Sequence, residues 1–424
     1  MHISRSIFAS FLIGWIISAG SAYGYLGSLS HQDNVIAEPE ARLLKAVDAI
    51  LDGQMQTGQQ LLQALIEDQP NFRLANLIYA DLLATRAGRL PMIGGNVKKR
   101  SNVVALLEEV KRRYKHHKQE MVEHQDLIPQ EILQVSSSQK YVIVVDSTSS
   151  RTHVFENSNE GLRLISDYYA TVGKNGLVKV AVGDKKTPMG VYFITSRLDP
   201  LGLDDLYGDG ALPLNYPNEW DQRLGRTGYG IWIHGVPSDT YNRSPYATEG
   251  CIALPNDDIS RLYNTPNIHD TPVIISPSIK WVPSESVESS KQPILDQIEQ
   301  WRTSWAEQNA DLFRGFYSEQ FSVDAETEPS LAQDEEKIAN TLGVAISDVS
   351  LFKYPATKGL TVATFTVTHW GKDKESTMRL RQYWQQEPDN QWRILSEGPA
   401  TYKPVHFRGI PKNLLPLIAK NTQN

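Results

Sequence analysis

The spacing of apolar residues changes along this chain, and that change limits what it can fold into. From 38 to 130 they recur at helical spacing: Leu43, Leu44, Val47, Ile50 and Leu51, then Leu61, Leu62, Leu65 and Ile66, then Phe72, Ala75, Leu77, Leu82 and Leu83. From Tyr141 the pattern is that of strands. It opens with the run YVIVVD, continues through His153–Glu156 and Leu162–Val172, and closes at Val273–Ser276. A stretch rich in Ser, Pro, Glu and Lys follows. Helical spacing then returns at Ile294, Ile298, Trp301, Trp305, Leu312 and Phe316, and alternation at Val362–Trp370, Met378–Gln385 and Trp392–Ser396. The expected fold class is multidomain α+β. It comprises a helical segment at 38–130, a β-rich domain at 138–277, a linker at 278–292 and a third, α+β domain at 293–402. A chain of 424 residues is too long for one core.

A net charge of −7 argues against nucleic acid as a partner, because phosphate binding needs a basic surface. Residues 1–24 read as a secretory signal: Arg5, an apolar run over Ile7–Ile17, then the small residues Ala22 and Gly24 around a cleavage position. The run is short of the ~20 residues of a spanning helix; an uncleaved anchor is the alternative. Either way the body is expected to be exported. The basic run Lys111–Lys118 reads as a solvated helix face, or as a surface for anionic headgroups or wall polymer. His116, His117 and His124 lack partner ligands at metal spacing, so no metal and no cofactor are expected.

Cys251 is the single cysteine, so no intrachain disulfide is possible. In an exported protein a lone thiol is more easily explained as a nucleophile than as a staple. His234 lies upstream, at the end of an alternating strand (Tyr229–His234) and just before Gly235. The intervening loop carries Pro237, Ser238, Asp239, Asn242, Ser244 and Pro245, and the chain resumes at Gly250-Cys251-Ile252-Ala253-Leu254. A thiolate nucleophile needs a base to take its proton and donors for the oxyanion that follows. His234 can supply the first and backbone N–H groups near Gly250 the second. A buried cysteine beside a core histidine is the plain alternative.

These residues resemble the catalytic domain of YkuD-type L,D-transpeptidases. The resemblance rests on His234-Gly235, on Thr248-Glu249-Gly250-Cys251-Ile252 with Asn256 following, and on Gly183-Asp184-Lys185-Lys186-Thr187-Pro188-Met189-Gly190 upstream. It implies a β-sandwich-like domain with small helices, Cys251 as nucleophile and His234 as general base and acid. Gly235, Thr248, Gly250, Ile252, Trp232 and Thr187 are its candidate substrate-binding or oxyanion residues. Ala253 stands where many members carry an arginine, and Glu249 where many carry His or Arg. Arg243 is the candidate substitute for the missing cation. Asp199–Arg226, rich in Gly and Pro and carrying Trp220, is a candidate lid.

By the same resemblance the substrate is the peptide stem of peptidoglycan. Cys251 would form a thioester on diaminopimelate of a tetrapeptide stem and pass it to an amine, giving a 3-3 crosslink or an attached protein. Hydrolysis of the same bond is the alternative reaction, and a non-catalytic wall-binding scaffold the alternative class. The first helices resemble a tetratricopeptide-like unit, whose alternative is a helical cap on the catalytic domain. The third domain resembles an NTF2-like cone. Either could dock a wall-attached lipoprotein or another envelope protein. The implied location is the periplasm of a Gram-negative bacterium, with or without an inner-membrane anchor.

Overall fold

The computed structural model of the protein describes residues 37–88, 100–123, 127–322, 338–371 and 375–400. The expected signal or anchor at 1–24, His124, and residues 401–402 of the expected third domain lie outside them.

Among the described residues four helices come first: α1 (Glu38–Leu51), α2 (Met55–Asp68), α3 (Arg73–Arg86) and α4 (Arg100–Glu123). Pro39 sits in the first turn of α1, where its missing N–H costs nothing. Helices α1 and α2 meet closely at Gly58, where a Cβ would lie 2.5 Å from Ile50 Cγ1. Their apolar stripes close a core of Leu43, Ala46, Ile50, Leu62, Leu65, Phe72, Leu82 and Val110. Tyr241, from the loop after His234, completes that core. The helices therefore pack against the central domain.

The short strands β1 (Leu127–Pro129) and β2 (Ile132–Gln134) follow, so the expected helical segment 38–130 ends in strand rather than helix. The central domain holds β3 (Tyr141–Asp146), β4 (Arg151–Ser158), β5 (Gly161–Tyr169), β6 (Val172–Gly173), β7 (Gly190–Phe193), β8 (Ala211–Pro213), α5 (Glu219–Arg223), β9 (Trp232–His234), β10 (Tyr246–Thr248), β11 (Ile252–Ala253), α6 (Asn256–Tyr263) and β12 (Pro272–Ser276). Its main sheet has five strands in the order β5-β4-β3-β12-β7, and a second has three in the order β11-β9-β8. Every residue of β3 is buried. Ile143 and Val145 face the core shared with the β9/β11 sheet, while Val142 and Val144 face the third domain. A strand covered on both faces reads as an unbroken apolar run, which is the YVIVVD signal.

The third domain comprises β13 (Trp281–Pro283), α7 (Ser284–Ala306), α8 (Ala310–Gly315), β14 (Tyr317–Ser322), β15 (Gly343–Lys353), β16 (Leu360–Trp370), β17 (Glu375–Gln386) and β18 (Trp392–Pro399). The expected linker at 278–292 is a correction: it is occupied by β13 and the first turns of α7. The Ser, Glu, Lys and Gln there face solvent on a helix whose buried stripe runs through Val287, Ile294, Ile298, Trp301 and Trp305, with Pro293 tolerated inside it. The sheet runs β14-β18-β17-β16-β15-β2, so its edge is supplied by residues 132–134, ahead of the catalytic domain and outside the expected 293–402. Strands β1 and β13 pair as a further bridge.

A buried ionic cluster joins helices to sheet. Glu40 of α1 accepts from both guanidinium nitrogens of Arg151 on β4 at 2.9 and 2.7 Å, and pairs with Arg113 of α4 at 2.7 Å. Arg113 also pairs with Glu109 at 3.0 Å, and His116 with Asp167 at 2.5 Å. Burial alone would raise the Glu40 carboxyl, but the two arginines outweigh it and hold it below the usual range. The basic run of α4 thus splits. Lys115 and Lys118 are exposed, whereas Arg113 and His116 are buried, which corrects the reading of a wholly solvated face. Replacing one partner of a buried pair strands the other charge. Glu40→Ala is expected to cost about 3–5 kcal/mol, read from the urea midpoint; a loss under ~1 kcal/mol, the worth of an exposed pair, would contradict the bridge.

Candidate active site

Parallel pairing of β9 with β11 builds the site. Ile252 lies opposite Ile233 and Ala253 opposite His234, and Leu254 N–H donates to the His234 carbonyl at 2.9 Å. Cys251, one residue before β11, therefore falls beside Trp232, diagonally across from His234. Thr248 shapes the turn that presents it: Oγ1 donates to the Cys251 carbonyl at 2.6 Å and accepts from Gly250 N–H at 3.2 Å. Gly250 has φ +133°, and a Cβ there would lie 2.9 Å from the Lys186 carbonyl, so the turn demands glycine.

The His234 imidazole is buried, and its Nδ1 lies 2.6 Å from the Gly235 carbonyl. A carbonyl only accepts, so Nδ1 carries the proton and Nε2 keeps its lone pair. Burial, helped by the nearby Arg243 charge, holds the imidazole at about 4 against the pull of that hydrogen bond. Burial likewise pushes the Cys251 thiol up to about 11, although the Trp232 N–H and the Arg243 and Lys179 charges favour the thiolate. The pair therefore rests as thiol and neutral imidazole. Sγ donates to the Gly230 carbonyl at 3.3 Å.

The loop after His234 is clamped by Asn256. Its Oδ1 accepts from Val236 N–H at 3.0 Å, and Cβ atoms at Gly208 and Gly235 would lie 2.1 and 2.3 Å from it. Asn256 opens α6 and makes this tie, while Pro255 holds the capping position without a side-chain bond.

Several expected site residues have other work. Thr187 is sealed in the core, where Oγ1 accepts from Gly173 N–H at 2.9 Å, fixing the 183–190 loop. Asp184 anchors the same loop. Burial works to raise its carboxyl, but Lys179 and the N–H groups of Val180, Ala181 and Lys186 hold it at about 2. The Ile252 side chain lies in the apolar core, so only its backbone reaches the site. Gly250 N–H is occupied by Thr248, whereas the N–H of Cys251 itself has no acceptor among the described residues. Glu249 pairs with Lys174 at 2.6 Å and Lys185 at 3.3 Å, tying the cysteine turn to the 183–190 loop.

Arg243 is half-buried and makes no side-chain hydrogen bond or ion pair among the described residues. Burial lowers its affinity for the proton, opposed by Cys251 and Glu249. Its carbonyl accepts from Thr171 Oγ1 and Asn242 Nδ2, each at 3.0 Å. Ala253, at the family's arginine position, is 1% exposed in β11.

Tyr207 was not singled out in the sequence. Its ring stands edge-on to His234 at 5.3 Å and lies 4.8 Å from Trp232, and its carbonyl accepts from Gly235 N–H at 2.8 Å. Burial, then the Cys251 charge, push its hydroxyl up to about 12. The only signal was its place in the 199–226 insert. That insert is tied down at its other end, where Glu219 accepts from Arg381 at 3.1 Å and Tyr383 at 2.8 Å of the third domain. Trp220 packs on Tyr354 there, away from the cleft. Among the described residues no cluster of three or more His, Cys, Asp or Glu could hold a metal.

This geometry defines a cysteine–histidine site on a β-rich domain. Residues 140–275 match the YkuD L,D-transpeptidase catalytic domain, and residues 293–398 the Cds6 C-terminal NTF2-like domain. The chain is thus built on a YkuD-type catalytic domain followed by an NTF2-like domain, the architecture of a cell-wall enzyme family whose substrate is peptidoglycan. Among solved structures, Bd1075 of Bdellovibrio bacteriovorus is similar with a TM-score of 0.55 and 26% identity, over 66% of this chain and 99% of that one. The helical cell shape determining protein Pgp2 of Campylobacter jejuni shares the fold, with a TM-score of 0.51 and 21% identity over 67% of this chain and 99% of that one. No curated protein matches the chain.

If neutral His234 is the base, kcat/KM rises with pH as the imidazole deprotonates. The acid limb is expected near 4, well below the ordinary imidazole value of about 6.5. An acid limb at the ordinary value in a pH–rate profile would contradict a buried base. Thr248→Val removes both turn bonds while keeping the shape, and is expected to lower kcat by about tenfold or more and, by stranding the Cys251 carbonyl and the Gly250 N–H, to lower the thermal midpoint by several degrees.

Proposed function

We propose that this chain is a cysteine L,D-transpeptidase acting on tetrapeptide stems. The observation that supports the reading most is the β9/β11 register, which sets Cys251 beside a histidine whose Nδ1 is committed to a carbonyl and whose Nε2 is open. Rotation about Cβ–Sγ turns the thiol proton from Gly230 towards that lone pair. Nε2 takes the proton as Sγ attacks the carbonyl on the L-centre of diaminopimelate. The N–H of Cys251 faces the developing oxyanion. The tetrahedral species collapses with cleavage of the C–N bond. The imidazolium gives its proton to the leaving D-alanine amine, and a thioester remains. An acceptor amine then attacks the thioester, its proton passes to His234, and the thiolate leaves and is reprotonated.

Arg243 is the cation for the stem's terminal carboxylate. That group is separated from the scissile carbonyl only by the amide nitrogen and the D-alanine α-carbon, and Arg243 is the unpaired charge felt by both Cys251 and His234. An exported location, in the periplasm of a Gram-negative cell, accords with the signal-like or anchor-like sequence at 1–24. A part in cell shape, which the name of Pgp2 states for that protein, fits the same reading.

Incubation with disaccharide-tetrapeptide muropeptides and mass spectrometry tests the reaction. A dimer lacking one D-alanine is the expected product; tripeptide alone would replace transfer by hydrolysis of the same bond. Cys251→Ala should abolish either product while leaving the fold intact. Turnover in that variant would refute the nucleophile, and the scaffold reading would stand if the unaltered protein binds stems without converting them.

A further inference from the structure

Loop 236–248 is wedged between the catalytic core and the N-terminal helices. Tyr241 packs on Phe72 with ring centroids 4.1 Å apart, and its N–H donates to the Asn71 carbonyl at 3.4 Å. Asn242 Nδ2 donates to Glu109 Oε1 of α4 at 2.9 Å. The junction leaves a cavity of about 220 Å³ lined by Arg73, Leu106, Thr240, Asn242, Arg243 and Ser244, with Glu109 beneath it. Glu109 does not make it acidic, because Arg113 pairs with that carboxylate at 3.0 Å.

Two arginines, the exposed Arg73 and the half-buried Arg243, therefore line one cavity, and neither has a side-chain partner among the described residues. Helix stability does not explain Arg73. It is the first residue of α3, whose first turn holds no acid, and a cation there opposes the helix dipole. Asp239, which lines a neighbouring, more open cavity with Arg73, makes no ion pair with it. The shared cavity is smaller than the ~300 Å³ of a drug-sized site, and its two cations suit the two carboxylate ends of one short peptide segment.

We propose that the N-terminal helices complete the substrate site, and that Arg73 binds a second carboxylate of the stem, the one at the distal end of the diaminopimelate side chain. This rests on the reading of Arg243 as the cation for the terminal carboxylate. Arg243 takes the group next to the scissile bond, and Arg73, on the helical wall, takes the group at the end of the side chain. Lysine in place of diaminopimelate lacks that second carboxylate, so the helical wall selects the diaminopimelate stem.

Equilibrium binding to the Cys251→Ala protein, followed by calorimetry, separates the parts without needing turnover. The ligands are a diaminopimelate tetrapeptide, its lysine counterpart, and the diaminopimelate stem amidated at its C-terminus. Adding Arg73→Ala is expected to weaken the diaminopimelate stem about tenfold and leave the lysine stem unchanged, with Arg73→Lys restoring part of the loss. Adding Arg243→Ala should weaken both free-acid stems and spare the amidated one. Equal effects of Arg73→Ala on the diaminopimelate and lysine stems, or none, would overturn the subsite alone. No selective effect of Arg243→Ala would overturn the Arg243 reading alone. Binding of none of the peptides would overturn both.

Discussion

A single buried carboxylate, Glu40, holds the architecture together. Shared between Arg113 of α4 and Arg151 of β4, it joins helix to sheet where neither arginine can reach water. Its cost is high, because three charges leave water, and it is offset only by close geometry and the further pairs to Glu109 and Asp167. What it secures is position. Helix α4 is set so that Glu109 meets Asn242, the turn before α3 meets Tyr241, and the loop carrying Arg243 runs between fixed walls. The Cys251 turn is fixed separately, by Thr248 and the β9/β11 ladder, so the Cys251–His234 pair and the Arg243 charge beside it are positioned by different parts of the chain.

The electrostatics of the pair follow from enclosure. Burial disfavours the imidazolium and the thiolate alike, which separates the two pKa values and leaves a neutral resting pair. Such a pair holds its sulfur as the thiol rather than the thiolate. Tyr207 contributes to this enclosure from an insert whose far end is held by Arg381 and Tyr383 of the NTF2-like domain.

Legibility in the sequence followed the range of the interactions. The pattern of β3, the helical stripe of Trp301 and Trp305, and the His234–Cys251 spacing are local, and each marks a real element. Thr187 and Ile252 read as site residues because motif membership does not distinguish a side chain that touches substrate from one that fixes the loop beneath it. Arg113 read as one basic residue among several; its burial depends on Glu40, more than seventy positions away. Tyr207 carried no local mark, since its role comes from the fold of a turn-rich insert. The Ser- and Pro-rich stretch at 278–292 looked like a linker because its composition outweighed the widely spaced apolar positions Val287 and Ile294.

The edge strand β2 has a consequence in time. It pairs with β15, and Ser136 N–H donates to Ser350 Oγ across 214 residues of sequence. At ribosomal speeds of about 5–20 residues per second, its partner emerges roughly 10–40 s later. Until then the whole catalytic domain has left the ribosome while the edge it must share with the last domain stands open. Through about half of its synthesis the nascent chain therefore carries a strand whose partner has not yet been made, and a chaperone that shields it would be guarding the seam between the two domains.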